Sequence, residues 1–270
     1  MLIDLKTMPS HRSSSRAPAT PDALNALRRD ALRDALAWIV VLAALAAAMT
    51  SRGVLGPVFA GKVLAVFALA CMLALRGLPA HVPHVRFGPG NRVTLGRLAI
   101  IAGLAGCVGE PLDGTGAAAW SAAVMAGVAA LLDAADGPLA RAAGLESEFG
   151  ARFDMECDAL LTLVLCLLVF QFDKTGAWVL AGGLMRYVFV AAAAVWPWLA
   201  RPLAPSQRRK VVCVAQIVGL IVCLGPVVQP WLARIIAAAG LAALAASFAA
   251  DVFWLARAHR SAASQGTAAQ

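Results

Sequence analysis

Long apolar runs alternate with short polar connections along the chain. Eight of the runs approach the length of a membrane span: about 34–50, 54–75, 95–110, 116–135, 154–172, 176–199, 210–228 and 231–256. A helix needs about 20 largely apolar residues to cross the hydrocarbon core. The runs are rich in Ala and Leu and lack period-two alternation, which argues against strands. With no water to satisfy the backbone, each run is expected to form a helix. The pattern predicts an all-α integral membrane protein of eight spans. The first run begins only near Leu36, late for a cleaved secretory signal, so it is expected to remain as a span. The Pro- and Gly-punctuated stretch "RGLPAHVPHVRFGPGNRVTLGR" separates the first two spans from the last six. This organisation gives a basic, disordered or surface-lying tail at 1–30 and an accessory transmembrane hairpin at 31–77. A six-helix membrane domain follows at 88–256, and a second tail at 257–270.

Composition supports the same class. The chain is 61% hydrophobic and only 14% charged, where a soluble domain carries roughly a quarter charged residues. The net charge of +8 has a topological reading. A cytoplasmic N-terminus puts Lys6, Arg28, Arg29, Arg33, Arg76, Arg86, Arg92, Arg97, Arg141, Arg152, Arg208, Arg209 and Lys210 on the inner side. It leaves only Arg52, Lys174 and Arg234 on the opposite short loops. The excess of basic residues on cytoplasmic loops therefore sets both termini in the cytoplasm. Nucleic acid is a poor partner, since there is no soluble basic domain to bind it. Heavy Ala and Arg usage suggests a bacterial source, hence an inner-membrane location. The six cysteines form no CxxC pair, so they are expected as small buried apolar residues and not as zinc ligands or disulfides. His81 and His84 have no partner at ligand spacing and are expected as exposed loop residues.

One stretch breaks the apolar pattern. Residues 131–160, "LLDAADGPLARAAGLESEFGARFDMECDAL", hold seven of the fifteen acidic residues between Asp133 and Asp158. In the predicted topology they form a cytoplasmic hairpin between the fourth and fifth spans. Asp133 and Asp136 are three apart at one helix end, and Asp154 and Asp158 four apart at the start of the next. Each pair shares a helical face. Ionisable residues at membrane depth are rare and usually functional. Glu146 and Glu148 sit in the turn and Glu156 points away from Asp154, so these three read as solvated charge. Four converging carboxylates need a cation between them, and all-oxygen ligands select a hard one such as Mg²⁺. A pair of ions could hold the attacking and leaving oxygens of a displacement at phosphorus. Gly137 and Gly150 allow close backbone approach, and Arg141 offers a fork suited to phosphate. A cation-coupled transporter is the alternative from another class, but transport favours carboxylates near the midplane on broken helices.

The pattern Asp133-x2-Asp136-Gly137-x2-Ala140-Arg141-x8-Gly150-x3-Asp154-x3-Asp158 resembles the signature of the CDP-alcohol phosphotransferases. "NRVTLGR" is similar to the family's Asn-x2-Thr-x2-Arg element at the head of its first core helix. The resemblance covers roughly residues 88–256 and implies a six-helix bundle whose site opens to the cytoplasm. It also implies that Asp133, Asp136 and Asp154 hold divalent metal, two ions of Mg²⁺ or Mn²⁺. Asp158 would contribute to the metal site and act as base. Gly137, Ala140, Arg141 and Gly150 match the nucleotide side, Ser147 falls where a hydroxyl can contact the diphosphate, and Asn91 and Thr94 would face the cytidine. The implied donor is CDP-diacylglycerol, the acceptor an alcohol, and the product a phospholipid with release of CMP. A different CDP-linked donor or a lipid acceptor is the nearest alternative, and a homodimer is one assembly the reading allows.

For the acceptor, Arg186 lies well inside the sixth span, where a charge usually faces a cavity. Arg209 and Lys210 start the seventh, and the three are expected to form a basic pocket that can take a phosphorylated acceptor. Members that use glycerol phosphate tend to resemble Gly-Lys-x-Lys-Thr-x2-Gln here. This chain keeps Lys210 and Gln216 but has Arg209, Val212 and Cys213 at other fixed positions, a departure from that acceptor. Asp251 is given no role.

Overall fold

A computed structural model describes residues 21–82, 84–201 and 206–268. Eight long helices run through them: α1 (Pro21–Ser51), α2 (Val58–Arg76), α3 (Pro89–Gly106), α4 (Ala117–Ala142), α5 (Glu148–Gln171), α6 (Leu180–Val195), α7 (Gln207–Leu224) and α8 (Pro230–Ala268). Among the described residues there is no strand. Each helix overlaps one of the eight apolar runs, and several extend past it into polar sequence. α1 begins at Pro21, within the stretch read as a tail, and α8 continues through residues 257–268. Residues 1–20 of the expected tail lie outside the described residues.

Among the described residues, five helical stretches are long and apolar enough to cross a membrane: Asp22–Ser51, Val58–Arg76, Ala117–Ala142, Ala177–Val195 and Pro230–Arg260. The three helices that fall short share the charges of the site end with α4, which bears Asp133 and Asp136. α3 has Arg92 and Arg97, α5 has Asp154, Glu156 and Asp158, and α7 begins with Arg208, Arg209 and Lys210. α3 carries one of these charges inside the bundle, since Arg97 is fully buried. Twelve of the eighteen α3 residues are buried, whereas the five apolar windows are at most 28% buried. α3 packs on α2, α4 and α5, while α7 closes the other side against α4, α5 and α8. The outer helices turn their apolar surfaces outward, as a lipid solvent permits.

Small residues bring the helices close. A Cβ at Gly106 of α3 would lie 2.4 Å from Val63 and 2.7 Å from Phe59 of α2, so only glycine allows this contact. At the same end, Glu110 accepts from Lys62 Nζ at 2.5 Å and from the Gly56 N–H at 2.8 Å, with a side chain only 5% exposed. These bonds tie the hairpin α1–α2 to the α3–α4 loop. They hold the Glu110 carboxyl below its ordinary range, the Lys62 bond contributing most. A depressed carboxylate stabilises the fold fully above its unfolded pKa and loses that contribution as pH falls through the lower folded value. Glu110→Gln is therefore expected to lower the thermal midpoint at neutral pH by a few degrees, at about 2–4 °C per kcal/mol for a chain of this size. The gap from wild type should close below about pH 4. A constant gap across that range in a thermal-shift titration would assign the loss to packing instead.

Candidate functional site

The turn between α4 and α5 is built by local sequence. α4 ends in a Schellman-type arrangement, in which the Leu145 N–H reaches the Ala140 carbonyl (3.0 Å) and Gly144 takes φ +63°. Ser147 then caps α5, its hydroxyl accepting from the Gly150 N–H at 3.1 Å. The turn docks on the start of α3 through glycines. A Cβ at Gly90 would meet the Ala140 Cβ at 2.9 Å, and one at Gly150 would meet Asn91 Oδ1 at 2.9 Å. At Gly88, whose φ is +86°, it would meet Leu145 at 2.9 Å. Within α4, Pro138 has no N–H to donate, so the carbonyl of Ala134, between Asp133 and Asp136, loses its helical partner.

This docking brings the four aspartates around one side chain. Arg97 of α3 is fully buried, and its guanidinium contacts Asp133 at 2.7 Å, Asp136 at 3.0 Å, Asp158 at 2.6 Å and also Asp154. Its Nε donates to the Ala129 carbonyl at 3.1 Å. The carboxylates range from 10% exposed at Asp136 to 36% at Asp154, so the cluster is open on one side. Asp133, Asp154 and Asp158 each present an oxygen within 4.8 Å of the others, a spacing that suits a shared cation. Asp136 stands apart from that trio, buried, and takes a hydrogen bond from the Thr94 hydroxyl at 3.1 Å. Four carboxylates against one guanidinium leave a local excess of negative charge. An all-oxygen donor set with that excess fits a hard divalent cation.

Sequence reasoning counted Arg97 only toward topology, although it is the arginine of the Asn-x2-Thr-x2-Arg element. Asn91, Thr94 and Arg97 recur every three residues and share one face of α3. Thr94 lies under Asp136. Asn91 donates to the Phe87 carbonyl at 2.6 Å and abuts Gly150. Gly137 and Arg141 adjoin each other at the open end of α4, where the Arg141 guanidinium folds back to 3.4 Å from where a Gly137 Cβ would stand.

Beside Asp158 a cavity of about 80 Å³ opens between α5, α6, α7 and α8. Arg186 and Arg209 line it, as do Thr162, Gln216 and Asp251. Lys210, expected to join them, is exposed on α7 outside this lining. Arg186 pairs with Glu156, and Asp251 takes Arg208 at 2.6 Å and Arg209 at 3.3 Å. Asp251 thus has a defined place that sequence did not reveal. The Gln216 Nε2 has no hydrogen-bond partner among the described residues, although the side chain is only 3% exposed. Gly240 and Gly182 make room for its amide, since a Cβ there would lie 2.2 Å from Oε1 and 3.1 Å from Nε2.

His81 corrects a sequence expectation. It is fully buried, between Ser147 Oγ (2.5 Å) and the Arg86 carbonyl (3.0 Å), with its ring against Phe149. His84 stands beside it, 3.3 Å from the Glu146 carbonyl. The hydrophobic wall built by Phe87, Phe149 and Phe153 supplies the surroundings that a loop histidine was not expected to have. All six cysteines are free.

A family model described as CDP-alcohol phosphatidyltransferase matches residues 87–246, from the loop before α3 into α8. No curated protein and no solved structure matches the chain.

Proposed function

The chain belongs to the CDP-alcohol phosphatidyltransferase family, and from that premise we propose that it transfers a phosphatidyl group from CDP-diacylglycerol to a small alcohol, releasing CMP. Membership makes it a phosphotransferase of a family that is typically dependent on divalent cations. The observation that carries the finer reading is the convergence of Asp133, Asp136, Asp154 and Asp158 on one buried arginine, with a cavity opening beside Asp158.

In this reading the aspartates hold two Mg²⁺ or Mn²⁺ ions, which supply charge neutralisation at the transferring phosphate. Asn91, Gly137, Ala140, Arg141, Ser147 and Gly150 line the nucleotide and diphosphate side, and Thr94 steadies Asp136. The acceptor enters the cavity, its polar atoms met by Arg186, Arg209 and the unpartnered Gln216 amide. Asp158 takes the proton from the acceptor hydroxyl. The new O–P bond forms at the phosphorus bearing diacylglycerol, and the P–O bond to CMP breaks. CMP leaves with the electron pair, and the proton remains on Asp158 until solvent removes it. The eight helices all span, with both termini and the site facing the cytoplasm of a bacterial inner membrane. Carboxylates gathered at the helix ends, beside a Gly- and Arg-bearing turn, favour this over cation transport.

The test is CMP release by the purified protein in lipid nanodiscs with CDP-diacylglycerol and Mg²⁺. The acceptor panel would comprise glycerol phosphate, inositol phosphate, inositol, serine, choline and a lysolipid. Release is expected with one acceptor and not without it, and EDTA should stop it. Protein that neither releases CMP nor binds the donor would overturn the reading.

A further inference from the structure

The connection between α2 and α3 lies before the family match and carries His81, which touches the site directly. The short 3-10 turn Leu78–His81 packs against α5, and the hydrogen bonds define the ring's state. The Arg86 carbonyl can only accept, so His81 Nε2 carries the proton. In the neutral ring Nδ1 then accepts, and the Ser147 hydroxyl donates to it. Burial lowers the imidazole pKa, which favours that neutral ring. The Ser147 proton being committed to His81, its oxygen lone pair is aimed at the Gly150 N–H. Without His81 the serine χ1 is free to leave the cap, and the first turn of α5 loses its fixed start.

We propose that His81 is a positioning residue for donor binding, which fixes the Ser147 hydroxyl and through it the Ser147–Gly150 turn that receives the diphosphate. This rests on the donor assignment of Ser147 and Gly150 above. It gives the segment preceding the family domain a part in the reaction: it holds the α4–α5 turn in binding geometry before the donor arrives. Pre-organisation of this kind acts mainly on binding, so the effect belongs in KM for the donor and not in kcat.

The experiment is a double-mutant cycle on the purified full-length protein, with His81→Ala, Ser147→Ala and the double variant. Each single change is expected to raise KM for CDP-diacylglycerol about tenfold, the size of one lost interaction of ~1.4 kcal/mol. The double variant should be no worse than either single. His81→Asn, whose Oδ1 can stand near the Nδ1 position, should recover most of the loss. His81→Gln, which reaches toward the Nε2 position, should not. Losses that multiply in the double variant, a kcat defect at unchanged KM, or recovery by Gln and not Asn would each overturn the proposal. If His81→Ala fails to fold, the Asn and Gln variants decide. If the wild type shows no turnover, the same variants are read by CMP binding in a calorimeter. CMP binding indifferent to His81 removes this proposal alone. No CMP binding by the wild type removes it together with the donor assignment.

Discussion

CMP release by an Asp158→Asn enzyme is expected to fall about a thousandfold, within the range that a positioned general base contributes, while donor binding changes little. Asp158 is the aspartate with two faces. It meets Arg97 at 2.6 Å on one side and lines the cavity between α5, α6, α7 and α8 on the other. Asparagine keeps the shape and can still contact its neighbours, but it cannot take a proton. The loss should therefore sit in kcat, with donor affinity within a few-fold of wild type by equilibrium binding. Asp136→Asn is the informative contrast. Asp136 is buried, bonded by the Thr94 hydroxyl and outside the cavity lining, so its replacement should act through cation affinity and be partly relieved by raising Mg²⁺. Raised Mg²⁺ should do nothing for Asp158→Asn if the missing function is proton removal. Turnover retained by Asp158→Asn would take the base away from this residue and leave it as a ligand only.

The aspartates were legible in the sequence because their spacing is local information. Three and four residues put Asp133 with Asp136, and Asp154 with Asp158, on single helix faces whatever the rest of the chain does. The apolar runs were legible for the same reason, since a span announces itself by composition. The ends of α1 and α8 were not. Their polar turns, such as those bearing Arg28, Asp30 and Arg33, have no apolar run to report them. The polar start of α1 is instead tied to α3, where Asp30 and Asp34 pair with Arg92 at 3.2 Å and 2.6 Å. Pairings at that separation cannot be read from one segment. Arg97 shows the same limit at the site, since its partners Asp136, Asp154 and Asp158 lie 39, 57 and 61 residues away. As a basic residue near a cytoplasmic end it satisfied the topology rule, and that sufficient explanation concealed the second one. His81 was misread for a related reason. Its partners are the Ser147 hydroxyl, which donates to it, and a backbone carbonyl, which accepts from it, and neither is a group that a search for metal or catalytic partners would pair with histidine.

Arg97 carries the other large expectation. Replacing it by Met, an apolar side chain of similar reach, is expected to destabilise the protein without divalent cation by about 3 kcal/mol, the low end for breaking a buried pair. The low end applies because three of the four carboxylates keep between 23% and 36% of their side-chain surface exposed, so solvent screens part of their repulsion. At this chain length that is about 6–12 °C in thermal midpoint. The sign of the Mg²⁺ effect makes the prediction specific. In the wild type the guanidinium already neutralises part of the cluster, so added Mg²⁺ relieves only the remaining repulsion. In Arg97→Met no fixed cation is left among four carboxylates, and Mg²⁺ has more to relieve. Its stabilising shift should therefore be larger in the variant than in the wild type. Arg97→Lys keeps the charge but loses the planar fork that serves several carboxylates together, so it should fall between the two. Equal Mg²⁺ shifts in all three proteins would mean that Arg97 acts by filling space. A larger shift in Arg97→Met, ordered by the charge and geometry that remain, would identify the arginine as a fixed countercharge within the aspartate cluster, sharing with divalent cation the work of holding α3, α4 and α5 together.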